Sequence, residues 1–371
     1  MPGDKIRIGI IGANVTYGWG SRAHIPAIKG LPELELVAVC TTKQETAEAT
    51  AKQYGIPLAF HNPLELAAHP DVDMVSVCVR VPFHHQMVMA VLKAGKHVFC
   101  EWPLGATLAE AVEMRDLAEA KKVRHMVGLQ ARGSPAFNRV KELIAEGYVG
   151  DVLSCTMVTS LPGAGQRSAS PSSLQFPSAW SVDRRKGAST LTIHAGHSID
   201  ALCYCLGEFR ELSAVVATQV RRTTVTETGE TLQVTSPDNV LVSGVLKNGA
   251  VASVHIKNVP SHGTGFTFEV HGTQGALTVS AAQPQIGELT LRGGRQGDKA
   301  LDTLSIPAKH RWVPTTVPAG PPLNVGQLFR RLSEGIRHGA PVDPDFNVAV
   351  TRHKMLDTIQ RASETGQRQL L

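Results

Sequence analysis

At 371 residues the chain exceeds what one ordinary core accommodates, so two domains are expected. Lys+Arg number 37 against Asp+Glu 32, scattered and without aromatic interleaving, which argues against a nucleic-acid partner. Apolar runs fall far short of the roughly 18 residues a membrane helix needs. The opening MPGDKIRIGIIGAN enters a strand without a leader, and the six cysteines lack CxxC spacing, so a cytoplasmic protein with reduced thiols is expected.

In chain order, strand-like runs come at Ile6 to Ile11, Leu36 to Cys40, Met74 to Val79, His97 to Cys100 and His125 to Leu129. Helix-like stretches such as KQETAEATAKQYG, HHQMVMAVLKAGK and TLAEAVEMRDLAEAKK separate them. That alternation predicts right-handed crossovers and a doubly wound parallel sheet over residues 1–130. Beyond it, residues 131–371 predict an α+β domain with a large, mostly antiparallel open sheet. Val152 to Ser160 reads as a strand, residues 160–178 as a Pro/Gly/Ser-rich lid or substrate loop, and Ser189 to Leu206 as a helix. NVLVSGVL and AVASVHIKNV meet at Asn248-Gly249, a strong hairpin signal, and FTFEVHGTQGALTVS repeats the pattern through Gly272 and Gly275. Two closing helices, within about 323–365, are expected to pack back towards the first domain.

The first strand runs into a glycine-bearing loop with Gly12, Gly18 and Gly20, before a helix starting near Ser21. Such loops bring backbone N–H groups and a helix N-terminus onto a pyrophosphate, the Rossmann dinucleotide arrangement. Asn14 stands where a second glycine is usual, and Asn tolerates left-handed backbone. Gly12, Asn14, Trp19, Gly20, Ser21 and Arg22 are the candidate cofactor residues here, with Trp19 either covering the cofactor or filling a gap. After the second strand an NAD site places an acid for the ribose 2′-hydroxyl, whereas this chain offers Thr41, Thr42 and Lys43. NADP(H) is therefore the expected cofactor, with NAD second; the competing reading makes Lys43 a solvated helix-start residue.

With VCVRVPFHH, AGKHVFCEWPLG, VGLQARGSPAF, EGYVGDV and PDFNVAVTRHKMLDTIQRASETGQ following in order, the chain resembles the Gfo/Idh/MocA family over nearly its whole length. GWGSRAHIPAI, EWPLG and TLTIHAGHSIDALCYCLGEF are most similar to the branch that includes the fungal galactose-regulon co-repressor and its bacterial relatives. The resemblance implies Arg80, His84, Glu101, Trp102 and Gln130 around the cofactor, with helix capping as the alternative for His84. Family enzymes carry Glu-Lys-Pro where this chain has Glu101, Trp102 and Pro103, and an indole N–H donates but accepts no proton at neutral pH. The family Asp four residues before His197 is replaced by Ile193. Glu101, Trp102 and His197 are the catalytic candidates.

His194, His197 and Asp200 fall three apart and share a helical face. Proton transfer by His197, a structural polar cluster and a metal site are the three readings; the missing further ligands disfavour metal, and none is expected. Trp180, His194, His197 and Arg132 are the candidate substrate residues, a structural salt bridge being the alternative for Arg132. Arg185 flanks the same loop. The expected activity is NADP(H)-dependent oxidation or reduction of a sugar, cyclitol or other small cyclic alcohol. The alternatives are an NADP-binding sensor without hydride transfer and redox-neutral chemistry. No membrane partner is expected, and the open sheet predicts a homodimer or homotetramer.

Overall fold

The computed structural model describes residues 5–163, 166–167 and 179–371; most of the expected lid-like loop lies outside them. The alternating elements begin with β1 (Ile6–Ile11), α1 (Ile25–Gly30), β2 (Leu34–Cys40), α2 (Gln44–Tyr54), β3 (Leu58–Phe60) and α3 (Pro63–Ala68). They continue with β4 (Met74–Val77), α4 (His84–Lys93), β5 (His97–Glu101), α5 (Leu108–Ala120) and β6 (His125–Gly128). After α6 (Pro135–Ala145), β7 (Val152–Pro162) and β8 (Gln166–Arg167) comes α7 (Gly196–Leu206). Strands follow as β9 (Phe209–Ala217), β10 (Arg222–Val225), β11 (Thr231–Gln233), β12 (Asn239–Leu246), β13 (Val251–Val259), β14 (Gly265–Gly272), β15 (Gly275–Ala281), β16 (Thr290–Arg295) and β17 (Asp302–Thr303). The chain closes with α8 (Pro321–His338), α9 (Phe346–Thr365) and β18 (Gln369–Leu370).

Two compact units result, one holding the described residues to Leu129 and Trp312–His353, the other the described residues from Gln130 to Arg311 and Lys354–Leu371. In the first unit β1–β6 form a parallel sheet in the order β3-β2-β1-β4-β5-β6. Its strands read as apolar runs because helices cover both faces. The order reverses direction beside β1, opening the crevice between β1 and β4 where such sheets take ligands. The three-residue edge strand β3 was not expected from the sequence. α8 belongs to this unit: Val325, Leu328, Phe329 and Leu332 join Ile8, Ile10, Ile25 and Ile28 in one core.

The second unit is built on a nine-stranded sheet in the order β17-β16-β15-β14-β7-β13-β12-β9-β18. β12 and β13 pair antiparallel across Asn248-Gly249, with Gly249 at φ +93° supplying the left-handed turn. β14 and β15 form the second expected hairpin. The β7–β13 pair runs parallel, so the sheet is mixed. Cys155, Met157, Val240, Val242, Val254, Ile256, Phe266 and Phe268 fill the buried face, while Val215 and Leu241 pair on the exposed one. Among the described residues no helix is long and apolar enough to cross a membrane.

Candidate functional site

The glycine loop leaves β1 through Gly12, whose φ of +97° and whose closeness to the Cys78 carbonyl oxygen, 2.5 Å from any added Cβ, admit only glycine. Gly18 supplies the other left-handed residue at φ +111°. Asn14 does not use the left-handed backbone it tolerates: its side-chain oxygen accepts from the Thr16 N–H at 3.0 Å and the Thr16 hydroxyl at 2.9 Å. The Asn therefore stiffens the longer loop as an Asx turn. Ser21 donates to the Asn14 carbonyl. Gly20–His24 forms a π-helical turn leading into α1. Trp19 packs on the core, its indole nitrogen buried without a hydrogen-bond partner among the described residues, and Arg22 is exposed.

At the end of β2, Thr41 is buried and its hydroxyl donates to the Lys43 carbonyl at 2.9 Å. Thr42 and Lys43 are exposed, and Lys43 precedes the first residue of α2. No ion pair engages the Lys43 ammonium among the described residues, and no carboxylate stands at residues 41–43.

The exit of β5 is more elaborate than its motif suggested. Glu101 accepts from His24, Nε2 to Oε1 at 2.7 Å. The other imidazole nitrogen of His24 meets the Ser76 hydroxyl of β4 at 2.9 Å. Phe99 and Phe329 contact the His24 ring edge-on at 5.1 and 5.4 Å. Burial opposes a charge on His24, but the neighbouring Cys78 sulfur and the Glu101 carboxylate push its pKa up to about 10. A Cβ at Gly128, on the next strand, would lie 2.7 Å from Glu101 Oε1, so glycine makes room for the carboxylate.

Trp102 is 4% exposed and leans on the His353 ring at 4.9 Å. Burial lowers His353 to about 4, and its Nε2 has no partner among the described residues. Next along, the Pro103 carbonyl meets His84 Nδ1 at 2.7 Å, while His84 Nε2 faces the Val79 carbonyl at 3.0 Å. His84, expected beside the cofactor or as a cap, thus has both ring nitrogens engaged by backbone and performs no side-chain cap. Arg80 is exposed at the entry to the same turn.

In the second unit the expected helix begins at Ser189, whose hydroxyl and Thr192 form a capping box. Residues Thr190–Ala195 are π-helical before α7 continues. His194 is half-buried on the π segment; His197 is 5% exposed on α7. Asp200 takes Arg132 in a bidentate pair, Nε to Oδ2 at 2.9 Å and Nη2 to Oδ1 at 2.8 Å. Arg132 thus forms the salt bridge that was the alternative to a substrate role, its guanidinium lying 5.1 Å from the Tyr204 ring centre.

His197 keeps an unpartnered Nδ1 among the described residues, and burial, then His194, drive its pKa down to about 3 against Asp200. Gln130 is buried in the turn before α6, Trp180 is half-buried in the turn Ala179–Val182, and Arg185 pairs with Asp183. Among the described residues no group of three or more His, Cys, Asp or Glu is placed to hold a metal. The sequence reading missed His24, Ser76 and His353. Their signal was a histidine or serine inside an apolar stretch, which is ordinary core material until its partner is seen.

The oxidoreductase family with an NAD-binding Rossmann fold (GFO_IDH_MocA) matches residues 6–129. The C-terminal domain of Gal80p matches residues 135–281. The chain thus carries a Gfo/Idh/MocA Rossmann domain followed by a C-terminal domain of the Gal80p type. Dehydrogenase aclE of Aspergillus oryzae is 27% identical over 98% of this chain and 97% of its own. The galactose/lactose metabolism regulatory protein GAL80 of Saccharomyces cerevisiae is 28% identical over 80% of this chain and 72% of its own. Levoglucosan dehydrogenase, solved in complex with NADH and levoglucosan, has the same fold at TM-score 0.83 and 24% identity, covering 99% of each chain. Gfo/Idh/MocA relatives of this chain thus include both dehydrogenases and a regulator.

Proposed function

We propose that this protein binds NADP(H), with NAD as second choice, and oxidises or reduces a hydroxyl or carbonyl of a sugar, cyclitol or other small cyclic alcohol. The observation that carries the reading is the carboxyl edge of the first sheet. There β1 ends in the glycine turn, β2 leads to Lys43, without an ion pair among the described residues, and β5 ends in Glu101-Trp102, around the crevice where the strand order reverses. The residues fit a dinucleotide: Gly12, Gly20, Ser21 and Arg22 suit a pyrophosphate, and Lys43 suits a 2′-phosphate that no neighbouring carboxylate repels. Glu101 and Trp102 suit the nicotinamide end. When bound, the nicotinamide supplies the hydride chemistry.

Trp102 contributes a rigid apolar wall in place of a proton-transferring lysine, which leaves the proton to His197. A buried, neutral His197 has no proton to give, which favours alcohol oxidation, and its low pKa makes it only a weak base for that direction. The same pair of facts, Trp102 and a weakly basic His197, supports the second reading, an NADP-binding sensor without turnover. Fluorescence titration with NADPH and NADH, followed by nicotinamide absorbance with a panel of sugars and cyclitols, separates them. Turnover of one substrate supports the enzyme; tight NADPH binding without turnover across the panel supports the sensor; binding of neither nucleotide overturns both.

Assembly belongs to the same proposal: the exposed sheet face carrying Val215 and Leu241 is read as the surface of a homodimer or homotetramer. Sedimentation of the purified protein as a monomer would remove that part.

A further inference from the structure

Three consecutive residues at the exit of β5 are each held by a different histidine, and the three come from three separate elements. His24, at the end of the Gly20–His24 turn, binds the Glu101 carboxylate. His353, on α9, lies against the Trp102 ring. His84, opening α4, meets the Pro103 carbonyl. All of these residues lie in the first unit.

Of the three, His24 is fixed most completely. It is wholly buried, hydrogen-bonded at both nitrogens and flanked edge-on by two phenylalanines. A buried charge pair is weak evidence for stability, since desolvation of both ions opposes their attraction. What such a pair does supply is a single orientation. Here that orientation is shared by two parts of one crevice: the turn ending in His24 begins at Gly20, in the loop suited to the pyrophosphate, and its partner Glu101 directly precedes Trp102.

We propose that His24 is a positioning residue that, through Glu101, locks the Trp102 platform to the glycine-loop turn, so that both ends of a bound dinucleotide are set by one rigid assembly. The inference rests on the dinucleotide-binding reading above and goes beyond it in assigning His24, which is wholly buried, control over how the nicotinamide end is presented.

The test uses the full chain, its His24→Leu and His24→Gln variants, and two readouts taken well below the melting temperature. One is NADPH affinity by fluorescence titration. The other, on ligand-free protein, is the indole N–H resonance of Trp102, assigned with Trp102→Phe and compared with Trp312 of the same unit as internal control. His24→Leu is expected to weaken NADPH binding about tenfold or more, the scale of a lost charged hydrogen bond, and to displace or broaden the Trp102 signal while that of Trp312 stays. His24→Gln, which keeps a donor for Glu101, is expected to recover both.

A folded His24→Leu protein with wild-type affinity and an unmoved Trp102 signal overturns the proposal. Should His24→Leu not fold, His24→Gln decides by pH profile. Cys78 and Glu101 face His24, so wild-type affinity should fall as pH rises towards about 10 more steeply than that of the Gln variant, Lys43 being common to both. Coincident profiles overturn it. If wild-type protein binds no dinucleotide, the function reading fails, and the Trp102 signal alone still decides whether His24 holds the platform.

Discussion

His24 and His197 are equally hidden from solvent, at 0% and 5% exposure, yet their pKa values diverge to about 10 and about 3. Burial disfavours the charge on both. The difference lies in the neighbours: the Cys78 sulfur and the Glu101 carboxylate, 2.7 Å away, raise His24, whereas His194 lowers His197 and outweighs Asp200, whose oxygens take Arg132. A nearby acid alone therefore does not decide a histidine's charge; the other ionisable neighbours weigh with it.

The comparison breaks most visibly at Arg132. Arg132→Ala removes the bidentate partner of the buried Asp200, which should cost about 3–5 kcal/mol in denaturant unfolding. It should also free the carboxylate to raise the pKa of His197, a shift readable by NMR titration. An unchanged His197 would show that Asp200 was never the limiting factor.

For His197, replacement by Ala should lower kcat by about a hundredfold or more in whatever oxidation the protein catalyses, with NADPH affinity preserved. Unchanged turnover would return the histidine to the core.

Outside both histidines, Lys43→Ala should narrow the preference for NADPH over NADH by about tenfold in paired titrations, and an unaltered ratio would make Lys43 a solvated helix-start residue. Ser189→Ala removes the capping box ahead of the His197 helix and should cost about 1 kcal/mol, measured by unfolding.

The last contrast is one of pH. Because the folded pKa of His24 is raised, its contribution to stability is complete below about 6.5 and is lost as pH rises through about 10. For His197 the sign reverses: a depressed folded pKa favours folding above about 6.5, and that contribution disappears as pH falls to about 3. Melting curves of His24→Gln and of a His197→Gln variant across pH should lose the alkaline and the acid slope respectively.

Much of the fold was legible because its segments are long and periodic. β1 and β12 end where their apolar runs end, and the hairpin at Asn248-Gly249 follows from glycine's access to left-handed backbone. β3 was not, since three residues carry no periodicity. The glycine loop, Lys43 and Trp102 were visible as chemistry at predictable strand ends. Their supports were not: His24 lies far from Glu101 along the chain, as does Arg132 from Asp200, and only the folded backbone brings either pair together. Asn14 holds its loop through a local side-chain hydrogen bond that its residue type allows but does not dictate.

The parallel pairing of β7 with β13 has a consequence in time. β7 lies inside the large sheet, bonded on one edge to β13 and on the other to β14, both of which come much later in the chain. The hairpins β12–β13 and β14–β15 have local turns and can close early, whereas β7 gains its partners only when those hairpins are present to receive it. During synthesis the strand leaves the ribosome with neither edge covered. The central seam of the second unit is then the last part of its sheet to form and the part most exposed to mispairing until it does.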